Sequence, residues 1–294
     1  MRLTDIWRKK RPTLSFELFP ARTPEAAANL ERVIDQLHFL EPDFIGITFG
    51  AGGSTREGSR LLVDQLLNDR GLEVVAYFAG YGLPPDYVHL ILEDYQGLGV
   101  ENVLVVRGDP PHGQPDFQPH PQSFAHASDL IAFIRPEFPF CLGVAGYPEG
   151  HIEAASREQD LAYLKLKVDQ GAEFIITNYF YDNRFFFDFV QNCRALGITV
   201  PILPGIMPIF SLKMLRQLAK LCGASIPAAL EARLAALPEG DQQALFKLGV
   251  NFATEQCREL LQAGVVGLHF YTMDRSQATA AIVSRLRHEG LLGI

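Results

Sequence analysis

Cysteine is scarce and scattered in this chain. Four occur in 294 residues, Cys141, Cys193, Cys222 and Cys257, and no two form a C-x-x-C pair. This excludes a cysteine zinc site, argues against a disulfide framework and suits a reducing compartment. Long hydrophobic runs are missing as well. Nowhere do about 18 apolar residues stand together, so no membrane-spanning helix is expected. The stretch Met1–Arg11 carries charges with no apolar segment behind them, which does not read as a signal peptide, and a cytoplasmic protein is expected. Positive charge is in deficit, with 26 Lys+Arg against 34 Asp+Glu, a net charge of −8, and no basic tract. That argues against binding a nucleic-acid phosphate backbone.

What is present is an ordinary globular composition, 48% hydrophobic and 20% charged. The length suits one large domain or two small ones. Short β-rich apolar runs stand at Leu14–Phe19, Phe44–Phe49, Glu73–Phe78, Asn102–Arg107, Phe140–Ala145, Glu173–Tyr179, Val200–Pro204 and Val265–Tyr271. Helical periodicity fills Pro24–Leu40, Arg56–Asp69, Pro85–Leu98, Phe124–Ile134, Arg157–Gln170, Phe185–Leu196, Leu212–Leu221 and Glu255–Gln262, with a helical insertion over roughly Ile226–Leu261 before the last strand. Eight strands alternating with helices predict parallel βα units, since parallel neighbours need a crossover. A doubly wound sheet and a closed barrel both use such units. Near-equal repeats without a linker favour an α/β fold of one (β/α)8 TIM barrel across residues 1–294, read as a single domain.

A barrel carries its chemistry at the C-terminal strand ends. Those positions read Glu17, Thr48, Tyr77, Arg107-Gly108-Asp109, Tyr147 through His151, Asn178, Tyr271 and Arg275. Glu17 is a lone carboxylate in an apolar strand; alternation places it on one face with Ser15 and Phe19, opposite Phe16 and Leu18. Burial there penalises the charged form and poises the group as a proton donor, against a plainer role as a bonded structural glutamate. The loop Gly50-Ala51-Gly52-Gly53-Ser54-Thr55 looks phosphate-cradling, yet its spacing does not match the dinucleotide fingerprint and also suits a capped βα turn. Asp160, Tyr163 and Lys167 share one helical stripe. His151 has no partner at metal-ligand spacing, so no metal is expected.

Taken together, Ser15-Phe16-Glu17-Leu18-Phe19-Pro20, Arg107-Gly108-Asp109-Pro110-Pro111, Ala145 through His151, Pro204-Gly205-Ile206-Met207-Pro208 and Leu268 through Arg275 resemble the bacterial methylenetetrahydrofolate reductase family, in order along nearly the whole chain. The resemblance implies a barrel that binds FAD at its C-terminal rim without a Rossmann motif, reduces it with NADH or NADPH, and then passes the hydride to 5,10-methylenetetrahydrofolate, giving 5-methyltetrahydrofolate. It implies a catalytic acid at Glu17 and a catalytic role for Asp109 beside flavin and pterin. Flavin contacts carry over to Thr48, Ala51, Arg107, Gly108, Asp109, Ala127, Tyr147, His151, Asp160 and Lys167. His126 lies where relatives place a tyrosine, Tyr77 where they commonly have histidine, and Tyr163 and Leu166 where some have polar cofactor contacts. Folate contacts fall on Asp109, Arg275 and Asn178, the last standing for a glutamine, while Leu212 sits near a family aromatic. A homo-oligomer is expected from the same source, as is the absence of the C-terminal regulatory region of longer eukaryotic relatives. Because the proposed ligands are anionic and the chain is acidic, Arg107, Lys167 and Arg275 are expected to form a local positive patch. Two other readings remain: a divergent paralogue reducing another C1-pterin or drawing electrons from a protein partner, and a non-catalytic subunit of a redox complex.

Overall fold

A computed structural model describes residues 1–49, 56–110 and 116–293. Its eight strands run β1 (Thr13–Leu18), β2 (Phe44–Ile47), β3 (Val74–Ala79), β4 (Asn102–Val106), β5 (Cys141–Gly146), β6 (Phe174–Tyr179), β7 (Ile202–Ile206) and β8 (Gly267–Tyr271). All pair in parallel, in sequence order, and β8 closes on β1 through the register Thr13↔Gly267 to Glu17↔Tyr271. The closed barrel is the expected one, and each strand lies within two residues of its predicted run.

Helices follow the strands: α2 (Pro24–His38), α3 (Arg56–Asp64, continued as a wider π turn over Gln65–Asp69), α4 (Pro85–Gly97), α5 (Ala127–Glu137), α6 (Arg157–Asp169), α7 (Asn183–Ala195), α8 (Leu212–Cys222) and α11 (Gln277–His288). Local chemistry starts several of them. Thr23, Ser156, Ser211 and Asp182 cap α2, α6, α8 and α7 by accepting a first-turn amide proton. The insertion is α9 (Ala228–Ala235) plus α10 (Gln242–Gln262). The barrel helix expected at Glu255 is therefore the second half of one 21-residue helix. Two helices had no counterpart in the periodicity reading: α11, and α1 (Leu3–Lys9) ahead of the barrel.

Strand alternation divides the core in two. Outward residues such as Phe16, Leu18, Ile45, Val103, Val144 and Phe270 pack against the helices. Inward residues Phe44, Val75, Leu104, Cys141, Phe174, Ile176 and Leu203 fill the lumen together with Leu3 and Trp7 of α1. Helix α1 thus plugs the N-terminal mouth. The Trp7 indole N–H donates to Thr13 Oγ1 at 2.9 Å, and its ring meets Phe174 and Phe44 edge-on. With that end closed, the inward side chains at the opposite strand ends are the ones left to meet a ligand. All four cysteines are free, and no described helix is long and apolar enough to cross a membrane.

Candidate active site

Glu17, the last inward residue of β1, is 5% exposed and sits at the top of the lumen. Its register partners explain its surroundings. On β8, His269 and Tyr271 share its parity; on β2, Gly46 stands opposite and leaves space that the Tyr77 ring of β3 takes up. A Cβ at Gly46 would lie 3.1 Å from that ring. The Tyr77 hydroxyl is 3.4 Å from His269 Nε2, and His269 Nε2 is 3.9 Å from Glu17 Oε2. Ser15, one inward step below Glu17, contacts His269 Nδ1 at 2.9 Å. Burial, then the nearby Glu17 carboxylate, holds the Tyr77 phenol well above its ordinary range, and the same two causes act on Tyr271. Tyr271 donates to the Thr177 carbonyl at 2.8 Å, a close approach that Gly205 permits, since a Cβ there would sit 2.5 Å from the ring.

The loop after β8 completes this wall. Thr272 Oγ1 donates to the Glu17 carbonyl at 2.6 Å, and Asp274 Oδ1 accepts the Phe19 amide at 3.0 Å. Met273 and Asp274 are successive left-handed residues, with φ of 50° and 52°, a costly conformation outside glycine. Burial raises the Asp274 carboxyl to about 6, opposed by the Phe19 amide and helped by Glu17.

A second group of residues gathers at the ends of β4 and β5. Gly108 turns the chain after β4 with φ +86°, where an added Cβ would meet Ala79 at 2.9 Å. Arg107 contacts Glu153 at 3.0 Å and the exposed Asp109 carboxylate at 3.8 Å. From α6, the Lys167 ammonium reaches back to donate to the Ala145 carbonyl at 3.1 Å. Burial lowers Lys167 to about 8 against the pull of Asp160, and raises Asp160 against the pull of Lys167. Both shifts disfavour charge, so desolvation outweighs their attraction. Asp160 also accepts the His151 amide at 3.2 Å, and the His151 ring packs edge-on against Tyr147 at 4.6 Å. His126, just ahead of Ala127 at the start of α5, stacks on Tyr163 with rings 6.3 Å apart. Thr48 is fixed by its main chain, its amide donating to Leu18 and its carbonyl accepting from Ser59.

Most of the predicted residues therefore lie on one rim, in two groups. Three placements add to the sequence picture. Tyr77, expected at the flavin, lines the lumen beside Glu17. The Asn178 side-chain oxygen is occupied by the Tyr179 amide at 2.8 Å. The three cations do not form one patch: β4 and β8 are opposite in an eight-strand ring, so Arg275 stands across the barrel from Arg107 and Lys167. There it lies over the Phe210 ring at 5.5 Å, in a cleft of about 410 Å³ with Gln242, Gln243 and Phe246 of α10. Ala51 and the glycine loop Gly50–Thr55 lie outside the described residues. Sequence reasoning singled out neither His269 nor Asp274. The signal for His269 was available, because it alternates with Tyr271 on a strand already read as reaching the rim.

The residues at the β4–β6 side suit an anionic, hydrogen-bonding group such as FAD. They present a guanidinium, a largely buried ammonium with one hydrogen bond among the described residues, a phenol, an imidazole, and a glycine that lets main chain approach closely.

The family model for methylenetetrahydrofolate reductase matches residues 2–287. Methylenetetrahydrofolate reductase (NADH) 1 of Arabidopsis thaliana is 38% identical over 97% of this chain and 50% of its own length. The 5,10-methylenetetrahydrofolate reductase of Escherichia coli K12 is 34% identical over 93% of this chain and 90% of its own. The chain thus spans about half the length of its plant relatives. Among solved structures, a Clostridium thermocellum protein that binds two copies of 5-methyl-5,6,7,8-tetrahydrofolic acid superposes with a TM-score of 0.66 at 17% identity, over 98% of this chain and 100% of that one, which supports the fold. The chain belongs to the methylenetetrahydrofolate reductase family.

Proposed function

We propose that this chain, acting as one domain, reduces 5,10-methylenetetrahydrofolate to 5-methyltetrahydrofolate with FAD as its cofactor and NADH as reductant. The observation that carries the reading is the buried Glu17 at the lumen top, ringed by proton-bearing groups in a family member. Arg107, Gly108, Asp109, Tyr147, His151, Asp160 and Lys167 would hold the cofactor, with Thr48, His126, Ala127 and Tyr163 at its edges. Bound there, FAD would supply hydride transfer, a chemistry that side chains lack.

The remaining work falls to the chain. Lys167 and Arg107 offset phosphate charge on a molecule whose net charge of −8 otherwise repels it. Glu17 protonates the folate ring nitrogen, which opens the methylene bridge and makes its carbon electrophilic. Asp109, exposed on its turn, is free to orient the pterin. Arg275, which lies over Phe210, would meet the folate's aromatic and carboxylate portion, and Asn178, whose oxygen already accepts the Tyr179 amide, would offer the pterin its second lone pair or its NH2 group. An assembly of several copies in the cytoplasm completes the proposal.

The test is anaerobic absorbance. Chain reconstituted with FAD should bleach with NADH and recover its colour with methylenetetrahydrofolate. The Glu17→Gln variant should still bleach but recolour at least a hundredfold more slowly. A chain that neither binds FAD nor oxidises a nicotinamide overturns the reading. Flavin binding without bleaching points instead to a protein electron donor.

A further inference from the structure

The main chain of β8 turns away from β1 after Tyr271, and two side chains take over its place. The last register pair of the two strands is Glu17↔Tyr271. Past it, Thr272 Oγ1 donates to the Glu17 carbonyl at 2.6 Å, and the Phe19 amide donates to Asp274 Oδ1 at 3.0 Å. Leu18, between them, is held from the β2 side, where the Thr48 amide donates to its carbonyl at 3.1 Å. The Glu17 carbonyl belongs to the peptide that leaves Glu17, so its bond fixes where the carboxylate side chain points. Thr272 is 0% exposed, and water does not compete for that bond. The same turn carries Arg275. The Asp274 amide donates to Thr272 Oγ1 at 3.3 Å, and the Arg275 amide donates to the Thr272 carbonyl at 3.0 Å. Left-handed backbone at Met273 and Asp274 lets this short turn aim Asp274 at β1 and Arg275 over Phe210. Such strain persists where surrounding bonds over-determine it, and it commonly serves pre-organisation. On the far side the buried Ser276 hydroxyl donates to Gln36 of α2, so the turn is tied at both ends.

We propose that Thr272 and Asp274 are positioning residues that join Arg275 to Glu17 as one rigid unit. A folate held at Arg275 by its aromatic and carboxylate tail then presents its ring nitrogen to Glu17 at a fixed reach. The inference rests on the reading of Glu17 as the acid and of Arg275 as a folate contact. Binding energy gained at the tail is expressed at the reacting centre as orientation, which raises kcat rather than only lowering KM. The turn itself makes and breaks no covalent bond.

The experiment compares two substrates on the full chain with FAD bound. One is 5,10-methylenetetrahydrofolate; the other is the 5,10-methylene compound of a tetrahydropterin whose N10 carries a plain phenyl ring and no carboxylate. Asp274→Gly removes the acceptor of the Phe19 amide without backbone cost, since glycine accepts φ 52°. Thr272→Val removes the hydroxyl and keeps the shape. Each should lower kcat for the intact folate about ten- to a hundredfold, with KM changed less than about threefold. For the phenyl compound kcat should fall less than about threefold, because that substrate has no tail to be held. Asp274→Asn keeps an oxygen for the Phe19 amide and should recover most of the loss. Arg275→Gln should lower kcat for the intact folate as well as raise KM, and in the Asp274→Gly background it should lower kcat no further. Equal slowing of both substrates would mean that the turn only supports Glu17, and it overturns the proposal, as does a loss confined to KM. Amide hydrogen exchange gives a readout without turnover. Saturating 5-methyltetrahydrofolate should slow exchange of the Phe19 amide about tenfold in the wild-type chain and leave it unchanged in Arg275→Gln. A wild-type Phe19 amide indifferent to that folate also overturns the proposal. If Glu17→Gln leaves folate reduction at the wild-type rate, the assignment of the acid fails, while the exchange measurement still decides whether Arg275 and the end of β1 act as one unit.

Discussion

The two mouths of this barrel solve the same problem of buried polar groups in opposite ways. At the N-terminal mouth α1 seals the lumen and nearly every polar group is paired. The fully buried Asn102 accepts the Leu3 amide at 2.8 Å and donates to the Met1 carbonyl and Glu73. Arg2 and Arg135 both engage Glu173, and the N-terminal ammonium engages Glu73. At the C-terminal mouth, burial pushes Lys167 down to about 8 and Asp274 up to about 6, and two residues in succession hold left-handed backbone. The first arrangement minimises free energy. The second keeps charges and strain where a ligand can use them, as functional sites commonly do. Substitutions at the base should therefore cost stability, whereas substitutions at the rim should cost function and leave stability equal or improved.

The sharpest way to break that contrast is Trp7→Ala. The indole is 2% exposed and fills the lumen between Phe44 and Phe174, so its loss should cost about 3–5 kcal/mol in urea unfolding. A loss under about 1 kcal/mol would mean that α1 is a loose cover. Next comes Asn102→Ala, which strands the Leu3 amide and the Met1 carbonyl and should cost about 2 kcal/mol in the same assay. At the rim, Lys167→Met should weaken FAD binding about ten- to hundredfold, or about 1.4–2.7 kcal/mol, read by fluorescence titration. Unfolding stability at pH 7 should hold or rise, because the substitution removes a cation that burial already disfavours.

How far the sequence reveals each mouth follows the same division. The barrel itself was legible, because period-2 and period-3.6 patterns mark strands and helices regardless of tertiary partners, and Glu17 was legible as one charge in an apolar strand. The plug was not. In Leu3–Lys9 only Leu3 and Trp7 are buried, too few positions for a periodic signal, and what they bury against lies on strands far along the chain. The position of the Tyr77 ring beside Glu17 was hidden for a related reason. A strand end tells that a side chain faces the rim, but the empty space over Gly46 that draws the ring inward belongs to another strand. The inward side of His269 was open to reading by alternation, but its nearness to Glu17 and the contact of Asp274 with Phe19 depend on the β1–β8 closure, which no local pattern reports.

The smallest expected effect tests whether the rim carries a stability cost at all. Asp274 has an ordinary pKa of 3.8 and a folded value of about 6, raised chiefly by burial. Between those values the folded chain holds a proton that the unfolded chain has released, so stability falls as pH rises through that window and stays reduced above it. Full linkage would give about 3 kcal/mol; the part-exposed side chain screens this to about 1–2 kcal/mol. Asp274→Asn removes the titration, keeps a side-chain oxygen for the Phe19 amide, and places at φ 52° a residue type that tolerates left-handed backbone. The variant should be more stable than the parent by about 1–2 kcal/mol at pH 8, with the advantage shrinking toward pH 4. An advantage independent of pH would assign the cost to backbone strain; no advantage at any pH would remove Asp274 from the rim's burden and leave Lys167 as its principal source.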